Sequence, residues 1–116
     1  FKIKLMFLPS TENIIQNIYS VTELSLLIKE TIEDIFAGVK VRGEISGLKL
    51  ASSGHIYFSL KDSESIINSI CWRNIANQLP FKLEEGMEVI CSGSISTYPG
   101  RSNYQLIVEK IQLAGQ

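Results

Sequence analysis

Five strand-like stretches between Val39 and Leu113, the first two strictly alternating, are the strongest constraint on this chain. In the first, Val39, Val41, Gly43 and Ile45 alternate with Lys40, Arg42, Glu44 and Ser46. A period of two is that of a half-buried strand. In the second, Ile56, Phe58 and Leu60 alternate with His55, Tyr57, Ser59 and Lys61. Ile66 to Trp72, Met87 to Tyr98 and Tyr104 to Leu113 supply the others. Adjacent Ile66 and Ile67 leave the facing of the third strand open. Turn residues separate the runs: Ala51-Ser52-Ser53-Gly54, Asp62-Ser63-Glu64-Ser65 and Pro99-Gly100-Arg101-Ser102-Asn103.

Upstream the period is helical. Ser20-Val21-Thr22-Glu23 reads as a capping box. Val21, Leu24, Leu27, Ile28, Ile32, Ile35 and Phe36 then recur on one face. Gly38 is expected to end this helix in the left-handed conformation. Lys29, Glu30, Glu33 and Asp34 are expected on a solvated face. A short helical link from Asn74 to Leu79, ended by Pro80, separates strands three and four. Residues 1–18 read as an N-terminal arm, natural or appended. Its Phe1 to Leu5 alternate like a strand, which offers a route to self-association through another chain's sheet edge.

A sheet in a chain of 116 residues must dispose of its edges, and closure does so. Helix, three strands, a link and two strands predict an all-β domain with an N-terminal helix over residues 19–116. The expected architecture is a five-stranded Greek-key barrel of the oligonucleotide/oligosaccharide-binding kind, an OB-fold.

Chemistry is harder to place on this frame. Two cysteines, Cys71 and Cys91, and one histidine are too few for a zinc site or a disulfide scaffold. No phosphate loop, nucleophile elbow or His-Glu-x-x-His occurs. Glu84, Glu85 and Glu88 read as a solvated turn. Hence no catalytic residue, metal or cofactor is expected in this chain. With 45% hydrophobic and 20% charged residues and no long apolar run, it reads as a globular cytoplasmic domain with reduced thiols and no membrane contact.

What remains is a binding face. Net charge is −1, yet residues 39–61 carry Lys40, Arg42, Lys49 and Lys61 against Glu44 alone. A local basic face can steer a polyanion toward an acidic protein. If Ile56, Phe58 and Leu60 fill the core, then His55, Tyr57, Ser59 and Lys61 point outward. Tyr57 can stack a base. Arg42, Lys49 and Lys61 can neutralise phosphates, and Ser52, Ser53 and Gly54 can donate to them. In such barrels the ligand crosses strands two and three between the loops after strands one and four. Those loops are Leu48 to Gly54 and Pro99 to Asn103, the second with Arg101. Trp72 reads either as core or as a stacking platform, and Arg73 as exposed. Nucleic acid fits this face first and a protein partner second.

The ordered set of motifs also resembles the N-terminal domain of the exodeoxyribonuclease VII large subunit. The resemblance is carried by Tyr19-Ser20-Val21-Thr22-Glu23-Leu24, Val41-Arg42-Gly43-Glu44-Ile45-Ser46 and the run from Ser53 to Asp62. Trp72-Arg73, Glu85-Gly86-Met87-Glu88-Val89, Gly93-Ser94-Ile95 and Tyr104-Gln105-Leu106 extend it. It runs from about Tyr19 to Gly115. It implies an OB-fold that holds single-stranded DNA without cutting it. It further implies a nuclease domain later in the parent chain, which degrades single strands from both ends. A helical C-terminal region of the parent, absent here, gathers copies of a small subunit. By position, Arg42, His55, Tyr57, Lys61, Arg73 and Arg101 lie on segments that resemble the family's DNA-facing surface. Leu50-Ala51 stands where relatives often carry polar or basic residues, and Trp72 where Phe is common. Ser102-Asn103 replaces a usual glycine, and Asn tolerates left-handed geometry. An anticodon-binding OB module and an assembly domain are the alternatives. The Ser20 helix and the Gly93 to Leu106 pattern speak against the first.

Overall fold

The computed structural model describes residues 18–98 and 100–114. The strand-like arm at residues 1–17, its proposed self-association, and Pro99 lie outside the described residues. The remaining chain runs α1 (Val21–Ile35), β1 (Val39–Leu50), β2 (Ile56–Lys61), β3 (Ile66–Cys71), α2 (Arg73–Ala76), β4 (Glu88–Thr97) and β5 (Tyr104–Leu113).

The strands close into a barrel in the order β1-β2-β3-β5-β4, with β4 returning to β1. Every pairing is antiparallel except β3 with β5. β1 divides its length between its two partners. Its first half, Val39 to Glu44, pairs with β4, and Glu44 to Leu50 pairs with β2. The ladder to β2 shifts register between Ser46 and Lys49, and Gly47 there has φ +64°. A bulge of this kind bends a strand and increases its twist.

The alternation in β1 and β2 falls as the sequence indicates. Ile45, Phe58 and Leu60 are buried and Lys40, Arg42 and Tyr57 are exposed. They join Val89, Leu106, Val108 and Ile111 in one core. β3 resolves its ambiguity by exposing Ile66 and turning Ile67, Ser69 and Cys71 inward or toward cover. Ile70 is also buried, outside that core cluster. Each buried aliphatic contributes roughly 1.5–3 kcal/mol, so the barrel carries most of the stability.

α1 begins as expected. Ser20 Oγ accepts from the Glu23 N–H at 3.0 Å, and the Glu23 carboxylate accepts from the Ser20 N–H at 2.8 Å. Its end differs from expectation. Gly38 does not adopt the left-handed conformation; Phe36 is the C-cap, at φ −107°. The Phe36 carbonyl is taken by the Ile95 N–H of β4 at 3.1 Å. With that orphan acceptor satisfied across the fold, no left-handed cap is required. Nor is the polar face wholly solvated. Lys29 Nζ donates to Glu33 and, at 3.0 Å, to Ser96 Oγ on β4, while the Ser96 hydroxyl donates to Glu33. No residue of α1 is buried, and Val21, Leu24 and Ile28 stay exposed. In the last hairpin Gly100, at φ +72°, takes the left-handed position, and Asn103 does not.

Two outcomes follow for stability. An ideal β-carbon on Gly93 would lie 1.9 Å from the Ile107 carbonyl oxygen, and one on Gly38 meets nothing within 4 Å. Thermal unfolding should show Gly93→Ala destabilised by about 3 kcal/mol or more. Gly38→Ala should be stabilised by about 0.4–1 kcal/mol through its unfolded state. Burial pushes the Cys71 thiol up to about 11 and the Cys91 thiol up to about 12, the latter also through Cys71. At pH 8 a thiol with the lower of these values is a thiolate in only about one molecule in a thousand. A disulfide reagent at pH 8 should therefore label neither cysteine in the native chain and both after denaturation.

Candidate functional site

An open groove of about 450 Å³ crosses the barrel where β1 bends. Its walls come from four segments. The bulge supplies Gly47 and Lys49, β2 supplies Tyr57 and Ser59, β3 supplies Asn68 and Ser69, and the β4–β5 hairpin supplies Tyr98 and Gln105. Register brings them together: Lys49 opposes Tyr57, Ser59 opposes Asn68, and Ser69 opposes Leu106, next to Gln105. The Ser59 hydroxyl lies 3.3 Å from Asn68 Oδ1 and can donate to it. Tyr57 is 40% exposed, which leaves ring surface available.

The cations divide by whether their charge is already engaged. Arg42 Nε lies 3.2 Å from Glu88, and Lys61 Nζ lies 3.9 Å from Glu44. Both sit on a separate surface beside Asp62 and Ser63. Among the described residues no carboxylate lies within ion-pair distance of Lys49. Its ammonium is the cation that lines the groove.

Beyond the groove, His55, Trp72 and Arg73 form a unit. His55 Nδ1 accepts the Arg73 backbone N–H at 2.9 Å. Since Nδ1 accepts, a neutral ring carries its proton on Nε2. The ring meets Trp72 edge-on, with centroids 4.9 Å apart at 85°. Trp72 is 41% exposed and belongs to the surface, not the core. The Arg73 side chain packs over Gly54, beside exposed Ser53. Arg101 lies elsewhere again, with Ser25, Ile28 and Tyr104 between the hairpin and α1.

Of the nine residues singled out in the sequence, the structure thus puts Lys49 and Tyr57 in the groove. It gathers Ser53, His55, Trp72 and Arg73 at one end of β2. It sets Arg42 and Lys61 on a flank and Arg101 by α1. Asn68 and Ser69 were not legible because the facing of β3 was open, and Tyr98 and Gln105 because their place depends on which strands adjoin after closure. Glu85 was read as part of a solvated turn. It is exposed, but its carboxylate accepts the Gly47 N–H at 2.8 Å and the Leu48 N–H at 3.0 Å. Those hydrogen bonds hold its carboxyl below the usual carboxylate range.

Among the described residues no group of three or more His, Cys, Asp or Glu could hold a metal ion, and no helix is long and apolar enough to cross a membrane. Among the described residues the groove offers an aromatic face, amide and hydroxyl groups and one cation without an ion-pair partner. Such a lining suits a ligand that alternates flat rings with single negative charges.

Comparison with known proteins agrees with this chemistry. Residues 19–112 match the family described as OB-fold nucleic acid binding domain. The chain is 46% identical over 107 residues to the exodeoxyribonuclease 7 large subunit of Zymomonas mobilis, covering 92% of this chain and 19% of that protein. It is 54% identical over 97 residues to the protein of that name from Rickettsia bellii, covering 84% of this chain and 22% of that one. The chain therefore spans about a fifth of the length of the curated relatives it matches. Among solved structures, a replication protein A heterotrimer bound to single-stranded DNA aligns with TM-score 0.55 at 9% identity, over 69% of this chain and 59% of that one. The S. pombe Stn1–Ten1 complex aligns with TM-score 0.54 at 15% identity, over 69% and 60%. At such identities the likeness is one of fold.

Proposed function

This chain belongs to the family of OB-fold nucleic acid binding domains, and from that premise we propose that its groove binds single-stranded DNA. The observation that carries the reading is the unengaged Lys49 ammonium beside the exposed ring of Tyr57 in an open groove. Tyr57 stacks a base, Lys49 neutralises a phosphate, and the amides of Asn68 and Gln105 line the path. The strand continues past Ser53 to His55, Trp72 and Arg73, where Trp72 gives a second stacking surface and Arg73 a second cation. Arg101 flanks the hairpin. Arg42 and Lys61 contribute at longer range, because each already faces a carboxylate.

The relatives named exodeoxyribonuclease 7 large subunit support a role within a longer enzyme. In this reading the domain presents a single strand to a nuclease domain elsewhere in the chain and does not cut it. The small subunit of such an enzyme engages other parts of the longer protein. The working location is the cytoplasm.

Fluorescence anisotropy of a labelled oligothymidylate, titrated with this chain over a salt series, tests the reading. Binding should favour the single strand over duplex. Tyr57→Ala should weaken it by about 1–3 kcal/mol. Lys49→Ala should lower the slope of log affinity against log salt by roughly 0.7, and Arg42→Ala should lower it less. The strand should be recovered at full length. Equal affinity for duplex, or a Tyr57→Ala variant that binds like the parent, would sink the proposal.

A further inference from the structure

We propose that Glu85 is a positioning residue for the groove, its carboxylate fixing the β1 bulge so that Lys49 faces the bound strand. This rests on the single-strand reading above. The bulge lies where pairing between β1 and β2 skips from Ser46 to Lys49. The two skipped residues, Gly47 and Leu48, leave backbone donors that the ladder does not use. Glu85 reaches across from the loop before β4 and takes both, one on each carboxylate oxygen. The loop is itself fastened to β1: the Gly86 N–H donates to the Ile45 carbonyl at 2.8 Å and the Ile45 N–H to the Met87 carbonyl at 2.9 Å. Gly47 at φ +64° has no side chain to restrict its backbone, so the bulge depends on an outside anchor. Lys49 follows it directly and lines the groove, whereas Glu85 does not.

The sign of the effect separates this role from a simple charge. A carboxylate close to a polyanion site repels the ligand, so Glu85→Gln acting through charge alone must tighten binding. A carboxylate has two acceptor oxygens for two N–H groups, whereas glutamine has one and sets an NH₂ against the other donor. Acting through the bulge, Glu85→Gln must therefore weaken binding.

The test compares the parent chain, Glu85→Gln, Lys49→Ala and the double variant by anisotropy with labelled oligothymidylate. Amide hydrogen exchange at Gly47 and Leu48 is followed in parallel. Glu85→Gln should weaken binding about tenfold or more, an effect of the size expected for one lost hydrogen bond to a charged group. It should add little in the Lys49→Ala background, since the two act as one unit. Exchange at both amides should quicken. Gly47→Ala, which strains the bulge without changing charge, should show the same dependence on Lys49. Tighter or unchanged binding by Glu85→Gln overturns the proposal, as do losses that add fully to those of Lys49→Ala. A lower melting temperature with unchanged affinity marks Glu85 as merely structural and overturns it too. A parent chain that binds no single strand overturns the functional reading itself, and with it this role. Unchanged exchange in Glu85→Gln, beside a parent that binds, removes the clamp alone.

Discussion

The structure depends on one strand dividing its length between two partners. Each strand of the closed barrel has two neighbours, but β1 gives β4 its first half, up to Glu44, and β2 its second, from Glu44 on. Past that crossover the bulge between Ser46 and Lys49 bends the half that pairs with β2. Closure removes sheet edges, which a domain of this size would otherwise expose to other chains. The bulge lines the groove, so the strand that joins β4 to β2 also shapes the candidate site. Fold and site share a cause in the path of β1.

That cause was only partly legible in the sequence. Strict alternation in β1 and β2 assigns faces because a strand has a period of two, and one face of each is buried. Tyr57 could be named on that basis; Lys49 was named for its charge, since strict alternation would have put it in phase with Ile45, and the register shift between Ser46 and Lys49 is what turns it outward. β3 could not be read the same way, since Ile66 and Ile67 are neighbours and Ile70 and Cys71 are both buried. Its outward Asn68 stayed hidden for that reason. Gln105 and Tyr98 were hidden differently. They reach the groove because β5 lies parallel to β3, a pairing that no local pattern encodes. The barrel itself was read from element order and from the need to close.

α1 shows the limit of periodicity in another way. Its apolar spacing and capping box identified the helix, but not how it is held. Its docking rests on the Phe36 carbonyl with the Ile95 N–H, and on Lys29 and Glu33 with Ser96. Lys29 and Ser96 are 67 positions apart, so a face that looked solvated is partly an interface. The expected left-handed Gly38 failed for the same reason, because a long-range donor had already satisfied the helix end. Stability is consequently uneven: the barrel owns the buried core, and the helix is joined to it by a few polar contacts and half-buried side chains.

Charge counting pointed to one region of the chain and could not rank the cations within it. Residues 39–61 hold four cations against one carboxylate, yet cross-strand neighbours decide what each can do. Glu88 enters from β4 beside Arg42, and Glu44 on β1 faces Lys61 on β2. Both pairs are well exposed, so each is worth little to stability, but each lowers the local potential that a phosphate meets. Glu85 gives its two oxygens to backbone donors, and the charge of Lys61 adds a smaller attraction. Its lowered carboxyl range means that this anchor stays ionised as pH falls through the ordinary range for glutamate, and contributes until its own lower value is passed. A net charge of −1 is then compatible with the proposed affinity for a polyanion. Glu44 and Glu88 face cations outside the groove and Glu85 is fastened to backbone, while among the described residues no carboxylate pairs with Lys49 inside it.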